Sequence, residues 1–195
     1  MKQSIDFLTT QIARLEEKGY EIPDKQAYID NILDYMEVVR EIESSNDNTQ
    51  VNAESGAAGF YQFKEDTIPT AKNRAKRMHT AEDYVANIPD NALEWDEDQA
   101  GLMFLAHAFG APLNENRSPV IGSDELFHRI GTNFDPQAQQ DLYMNYHYRG
   151  FPNDKTYNRA VDTILNFYVE NYPELAKNSG GPITSPLYSD KRYLI

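Results

Sequence analysis

A chain of 195 residues, 40% hydrophobic and 25% charged, is long enough to bury a core and fits one domain with short appendages. Its 18 Lys+Arg against 31 Asp+Glu give a formal charge of −13, which argues against nucleic-acid binding and against an electrostatic membrane anchor, since both need clustered cations. The absence of cysteine excludes disulfides, thiolate chemistry and Cys-ligated zinc, and no apolar run approaches the roughly 20 residues that span a bilayer.

Residues 4–18 place Ile5, Leu8, Ile12 and Leu15 at spacings of three and four. That pattern predicts an amphipathic helix with Ser4 as N-cap and Gly19 as its stop. Charges interrupt this stretch every few residues, so it does not read as a signal peptide. Asp24 then caps a second helix over 25–43, with Ile29, Ile32, Met36 and Val39 on one stripe. From Ser44 to Gly59 the chain is polar and rich in Gly, Asn and Ser, which predicts a loop or short β-turn structure. A short helix broken or started near Pro69 follows over 64–79, its Lys72, Arg74, Lys76 and Arg77 read as a solvated basic face. A helix over 96–109 carries Ala100, Met103, Phe104 and His107 on one side. Residues 111–123 read as a loop. Further helices are expected over 123–131, over 135–148 behind the Asp135–Pro136 pair, and over 155–172 with Ala160, Ile164, Phe167 and Val169 as core. The last residues hold Gly-Gly and two prolines without periodicity. The expectation is a mostly α protein: a helical extension over 1–24, one domain over 25–176 and a tail over 177–195.

The second helix carries the first chemical signal. At 100° per residue, Glu43 falls about 40° from Val39, within the apolar stripe, while Asp30, Asp34, Glu37 and Glu41 fall opposite. A carboxyl facing the core at the negative end of a helix is disfavoured as the ion, which suits a general acid. The plain alternative is a helix that frays before Glu43.

The second signal is Gly56-Ala57-Ala58-Gly59-Phe60-Tyr61-Gln62-Phe63. Two glycines three apart make a compact turn with exposed backbone. Gln62 adds an amide that both donates and accepts, as an N-acetyl group or sugar hydroxyl requires. Phe60, Tyr61 and Phe63 supply aromatic surface, some for the core and one for stacking on a sugar face. Four histidines (His79, His107, His128, His147) show no paired ligand spacing, and no metal or cofactor is expected.

Together these segments resemble the soluble lytic transglycosylase-like domains of the lysozyme-like superfamily, in which a helix ending in Glu-Ser is followed by a polar loop and a Gly-Ala-x-Gly-x-x-Gln motif. The family's Ala-Tyr-Asn-Ala-Gly motif is absent. Leu105-Ala106-His107 stands nearest and is similar to a variant of phage-encoded members; Tyr146-His147 offers a second register. The resemblance implies a lysozyme-like domain with a short Gly-rich β-turn or hairpin region, acting on the bond between N-acetylmuramic acid and N-acetylglucosamine. It implies Glu43 as the catalytic acid/base, with Ser44, Gly59, Tyr61, Gln62 and His107 as substrate-binding residues and His107 beside Glu43. It also implies peptidoglycan strands as partner, a phage virion or the host periplasm and cell wall as setting, and virion proteins held through the N-terminal helix or the tail. Members of the family need one carboxylate. Asp47 and Asp66 are the nearest candidates for a second, which would make a hydrolytic muramidase, though both read more simply as a turn-former and a helix-start residue. A non-catalytic virion protein on the same fold is the remaining alternative.

Overall fold

The computed structural model describes residues 1–78, 82–109, 122–143 and 146, together with 162–164, 166 and 170. The chain divides into two compact units, Met1–Gly150 and Phe151–Ile195. In the first, the described residues form α1 (Lys2–Glu17), α2 (Lys25–Ser44), α3 (Ile68–Met78), α4 (Glu82–Ala86), α5 (Glu97–Phe109), α6 (Ser123–Asn133) and α7 (Pro136–Leu142), with short 3-10 turns at Glu65–Thr67 and Ala92–Glu94. In the second, residues 162–164, 166 and 170 are helical and Ile164 is buried. The protein is mostly helical, as expected, and the described residues contain no strand. The predicted loop over 111–121, His79, His147, Ala160, Phe167, Val169 and the tail over 177–195 lie outside the described residues.

The middle of the first unit is α5, which is apolar around most of its circumference. Ala100, Gly101, Leu102, Met103, Phe104, Leu105, Ala106, Ala108 and Phe109 are all buried. A helix with no polar face must be covered on every side, and α5 packs against α1, α3 and α6. Phe109 stacks on Phe127 of α6 at 3.5 Å between centroids and meets the edge of Phe7 of α1 at 5.8 Å. The other main contact is α2 on α6, with α7 packed on α6.

Helix α2 begins where predicted, with the Asp24 carboxylate accepting from the Ala27 N–H at 2.9 Å. Helix α1 differs in detail. Its buried face is Ser4, Phe7, Leu8, Gln11, Ile12 and Leu15, while Ile5 is 38% exposed. Ser4 is no N-cap. The cap is supplied from α5 by Asp98, whose Oδ2 accepts from the Gln3 N–H at 2.9 Å and Oδ1 from the Ser4 N–H at 3.0 Å and the Ser4 hydroxyl at 3.1 Å. Partial burial pushes the Asp98 carboxyl upward, but these donors, with the α-ammonium 3.7 Å away, hold it below its ordinary 3.8.

Asp98→Ala is expected to cost about 1 kcal/mol, the usual loss of a helix cap. A group with a depressed folded pKa stabilises above its unfolded value and loses that contribution as pH falls through the folded one. The melting-temperature gap between wild type and Asp98→Ala is therefore widest at neutral pH and closes below pH 3.8. Thermal melts from pH 7 to pH 2 measure it.

Candidate active site

Helix α2 runs intact through Ser44, so it does not fray before Glu43. Asp30, Glu37 and Glu41 on its outer face are exposed, and Asp34 on that face is half-buried, as Glu43 is. Its Oε1 accepts a 2.7 Å hydrogen bond from the hydroxyl of Tyr143, which is fully buried at the end of α7. Tyr35 lies on the same side of α2, buried and without a hydrogen-bond partner for its hydroxyl. Burial, then the nearby Glu43 carboxylate, pushes that phenol well above its ordinary pKa.

The chain leaves α2 through two left-handed residues, Ser45 (φ 53°) and Asn46 (φ 59°), and Gln62 is left-handed as well (φ 48°). For residues with a Cβ this conformation costs roughly 1–2 kcal/mol each. Three such residues in the twenty that follow Ile42 mark where surrounding contacts enforce an unfavourable backbone, a pattern that clusters at functional sites.

What enforces it is a dense hydrogen-bond set. The buried Ser44 hydroxyl lies 3.0 Å from the Phe60 carbonyl and 3.1 Å from the Arg40 carbonyl, joining the end of α2 to the Gly-rich turn. Asn48 accepts from the Phe60 N–H and donates to the carbonyls of Leu93 and Trp95. Val51 and Phe63 each form a single antiparallel bridge to Ala58, the extent of the expected hairpin. Gly59 is held at φ +77°, and a Cβ there would lie 2.9 Å from the Ala92 carbonyl oxygen and 3.0 Å from Asn48 Oδ1. No other residue fits both constraints.

The expected site residues thus fall into different roles. Ser44 and Gly59 build the scaffold of the turn. Gln62 is half-buried, and its Nε2 donates to the carbonyls of Gly59 (3.0 Å) and Gln50 (3.2 Å). Tyr61 is a correction: it is 2% exposed and stacked on Phe104 at 4.5 Å, so its ring belongs to the core and offers no face to a sugar. Phe63 is buried too, and the half-buried Phe60, with the Arg40 guanidinium 5.6 Å from its centroid, is the aromatic nearest the surface.

His107 is half-buried on α5 with the Phe63 ring edge-on at 5.6 Å. Arg74 of α3 lies against it, its Nη1 donating to the His107 carbonyl at 2.8 Å and standing 3.3 Å from Nδ1. Arg74 and Lys72 correct the reading of 72–77 as a solvated face: Arg74 is 8% exposed on the face of Ile68, Ala71 and Ala75, and the half-buried Lys72 donates to the Ile88 carbonyl and pairs with Asp90, while Lys76 and Arg77 are exposed as expected. The tyrosine on Glu43 was missed. Tyr143 and Tyr146 stand three apart on one face of the predicted 135–148 helix, and both are buried. A buried tyrosine hydroxyl generally needs a partner, which was the available signal.

The Asp47 carboxylate is occupied by the Thr49 hydroxyl, the Gln50 amide and the Thr49 N–H, which together hold it below its ordinary pKa. It is the turn-former that was expected. Asp66 is exposed at the 3-10 turn before α3 and, with Ser55, Gly56, Lys64, Glu65 and Asp90, lines an open hollow of about 730 Å³ whose lining does not include Glu43. Among the described residues no three His, Asp or Glu side chains are grouped so as to hold a metal ion, and no helix is long and apolar enough to cross a membrane. No family model, no curated protein and no solved structure matches this chain.

Proposed function

We propose that this protein cleaves the β-1,4 bond between N-acetylmuramic acid and N-acetylglucosamine in peptidoglycan, as a lytic transglycosylase on a lysozyme-like domain with Glu43 as its single acid/base. The observation that carries the reading is the half-buried Glu43 carboxyl on the last turn of α2, held by the Tyr143 hydroxyl and flanked by a strained turn that Ser44 ties to that helix. In the reaction Glu43 gives its proton to the glycosidic oxygen as the C1–O4 bond breaks, and the 2-acetamido group of the sugar stabilises the cationic centre. The carboxylate then takes the proton of the 6-hydroxyl while O6 closes on C1. No water is consumed, and the product is a 1,6-anhydro sugar.

Asp47 is engaged by Thr49 and Gln50, which favours the one-carboxylate route over a hydrolytic muramidase. The Leu105-Ala106-His107 sequence is similar to a variant of phage-encoded members, which supports a role at the host cell wall from a virion or during lysis. The test is release of soluble fragments from purified Gram-negative sacculi. Release supports the reading; intact sacculi at stoichiometric protein point to a structural protein on the same fold.

The Tyr143 hydroxyl fixes the Glu43 carboxyl through a bond to an ionisable group, a class worth more than a neutral hydrogen bond. Tyr143→Phe is expected to lower kcat about tenfold to a hundredfold with an unchanged far-ultraviolet circular dichroism spectrum. Initial rates of fragment release measure the loss, and an unchanged rate would show that Tyr143 only fills space.

A further inference from the structure

We propose that the hollow beside the Gly-rich turn binds the peptide stem of peptidoglycan, taking a side chain that ends in an ammonium and a carboxylate. The choice of polymer rests on the function proposed above, whereas the charge pattern of the hollow stands without it. About 730 Å³ lie open between the turn at Ser55 and Gly56, residues 64–66 and the start of α3. A Cβ on Gly56 would meet nothing within 4 Å, so the turn does not obstruct that edge.

The lining carries charge of both signs. Lys64, Glu65 and Asp66 are exposed, and among the described residues none of the three side chains makes a hydrogen bond or an ion pair. Asp90 also lines the hollow but is paired, its Oδ1 2.7 Å from Lys72 Nζ. Two carboxylates and one ammonium are thus left to be complemented. A simple anion would meet two negative groups, and a neutral sugar would leave all three charges to water. A metal ion fits poorly, because among the described residues no three His, Asp or Glu side chains are grouped to hold one and Lys64 would repel it. A ligand group that carries an ammonium and a carboxylate on one carbon meets both signs at once. Ile68 and Pro69 give the hollow an apolar wall for a methylene chain.

The diamino acid of Gram-negative stems has this form, a short run of methylenes ending in a carbon that bears both charges. Its distance from the reacting bond also fits. Gly56 and Phe60 are four residues apart in the chain, so at most about 14 Å separates them. The Phe60 carbonyl lies 3.0 Å from the hydroxyl of Ser44, the neighbour of Glu43. The diamino acid is the third residue of its stem, and three extended residues span roughly 10 Å. A glycan whose scissile bond lies at Glu43 therefore has the reach to lay its stem across the turn into the hollow.

The test is a titration of the 15N-labelled full-length protein with the synthetic tripeptide L-alanyl-γ-D-glutamyl-meso-diaminopimelate, followed by amide chemical shifts. The largest shifts are expected at Ser55, Gly56 and residues 64–68. The analogue ending in L-lysine lacks the terminal carboxylate and is expected to bind about twofold to fivefold more weakly, the worth of one exposed ion pair. Lys64→Gln is expected to abolish that difference, and Glu65→Gln to weaken both peptides by a similar factor. Both positions are exposed, so the fold tolerates either change. An absence of shifts at the hollow, or equal binding of the two peptides by the wild type, overturns the proposal without any variant. Digestion of sacculi separates this result from the activity. Stem binding with intact sacculi overturns the lytic function and leaves the ligand of the hollow standing, whereas release of fragments without stem binding does the reverse.

Discussion

Glu43→Gln is expected to lower the rate of fragment release from sacculi about a thousandfold, within the range that a positioned acid/base contributes. Glutamine keeps the size of the side chain, and its carbonyl oxygen still accepts the Tyr143 hydroxyl that now reaches Glu43 Oε1 at 2.7 Å. The variant loses the carboxyl group's capacity to give up a proton and take one back. Its melting temperature is expected to stay within about 2 °C of wild type, since the half-buried site trades one hydrogen-bonded group for another. It is also expected to co-sediment with sacculi as the wild type does. Chemistry lost with binding and fold retained is what an acid/base requires. Loss of folding would instead make Glu43 a structural anchor for α7, and undiminished release would move the chemistry elsewhere.

The second large effect falls on stability, at Gly131→Ala. Alanine in a helix interior is ordinarily worth about 1 kcal/mol over glycine, so the default expectation is a more stable protein. Here a Cβ on Gly131 of α6 would sit 2.2 Å from Cδ2 and Cε2 of Tyr28 on α2. Tyr28 is fully buried with no hydrogen-bond partner for its hydroxyl, and the Asn31 amide donates to the Gly131 carbonyl at 2.8 Å, fixing the two helices at that distance. The ring cannot leave without opening the α2–α6 contact, so overpacking prevails and the cost is about 3 kcal/mol. For a chain of this size that corresponds to a fall in melting temperature of roughly 6–12 °C. Tyr28→Leu in the same chain removes the clashing ring edge and is expected to recover part of the loss, giving a coupling energy of about 1 kcal/mol or more between two touching sites. Simple additivity in thermal melts would show that the helices do not meet through this pair. Glu43 rides on α2, so the same contact sets the position of the carboxyl relative to α7.

The elements most legible from sequence were those fixed by local chemistry. Asp24 and Asp135 cap α2 and α7 as read, because an acidic N-cap acts within its own first turn. Glu43 stood out because helical periodicity alone placed it on the apolar side. Other features depend on residues far apart in the chain. Ser4 reads as an N-cap until Asp98, ninety-four positions away, supplies the cap. Arg74 reads as a solvated cation until α5 covers it and offers the His107 carbonyl. Tyr61 and Phe60 are adjacent aromatics with equal claims, and only the packing of Phe104 decides that Tyr61 goes inside. The partner of Glu43 was the least accessible of all. Tyr143 lies one hundred residues away, and the resemblance drew attention to His107 and Tyr146 in its place.

Cleavage through one carboxylate without water is tested by the mass of the muropeptides released from purified Gram-negative sacculi by the wild type beside Glu43→Gln. Fragments one water lighter than their reducing-end counterparts, absent from the Glu43→Gln digest, are the result predicted here. Glu43-dependent fragments with reducing ends would contradict it, because a water must then have been activated and a second carboxylate would have to be sought, beginning at Asp66.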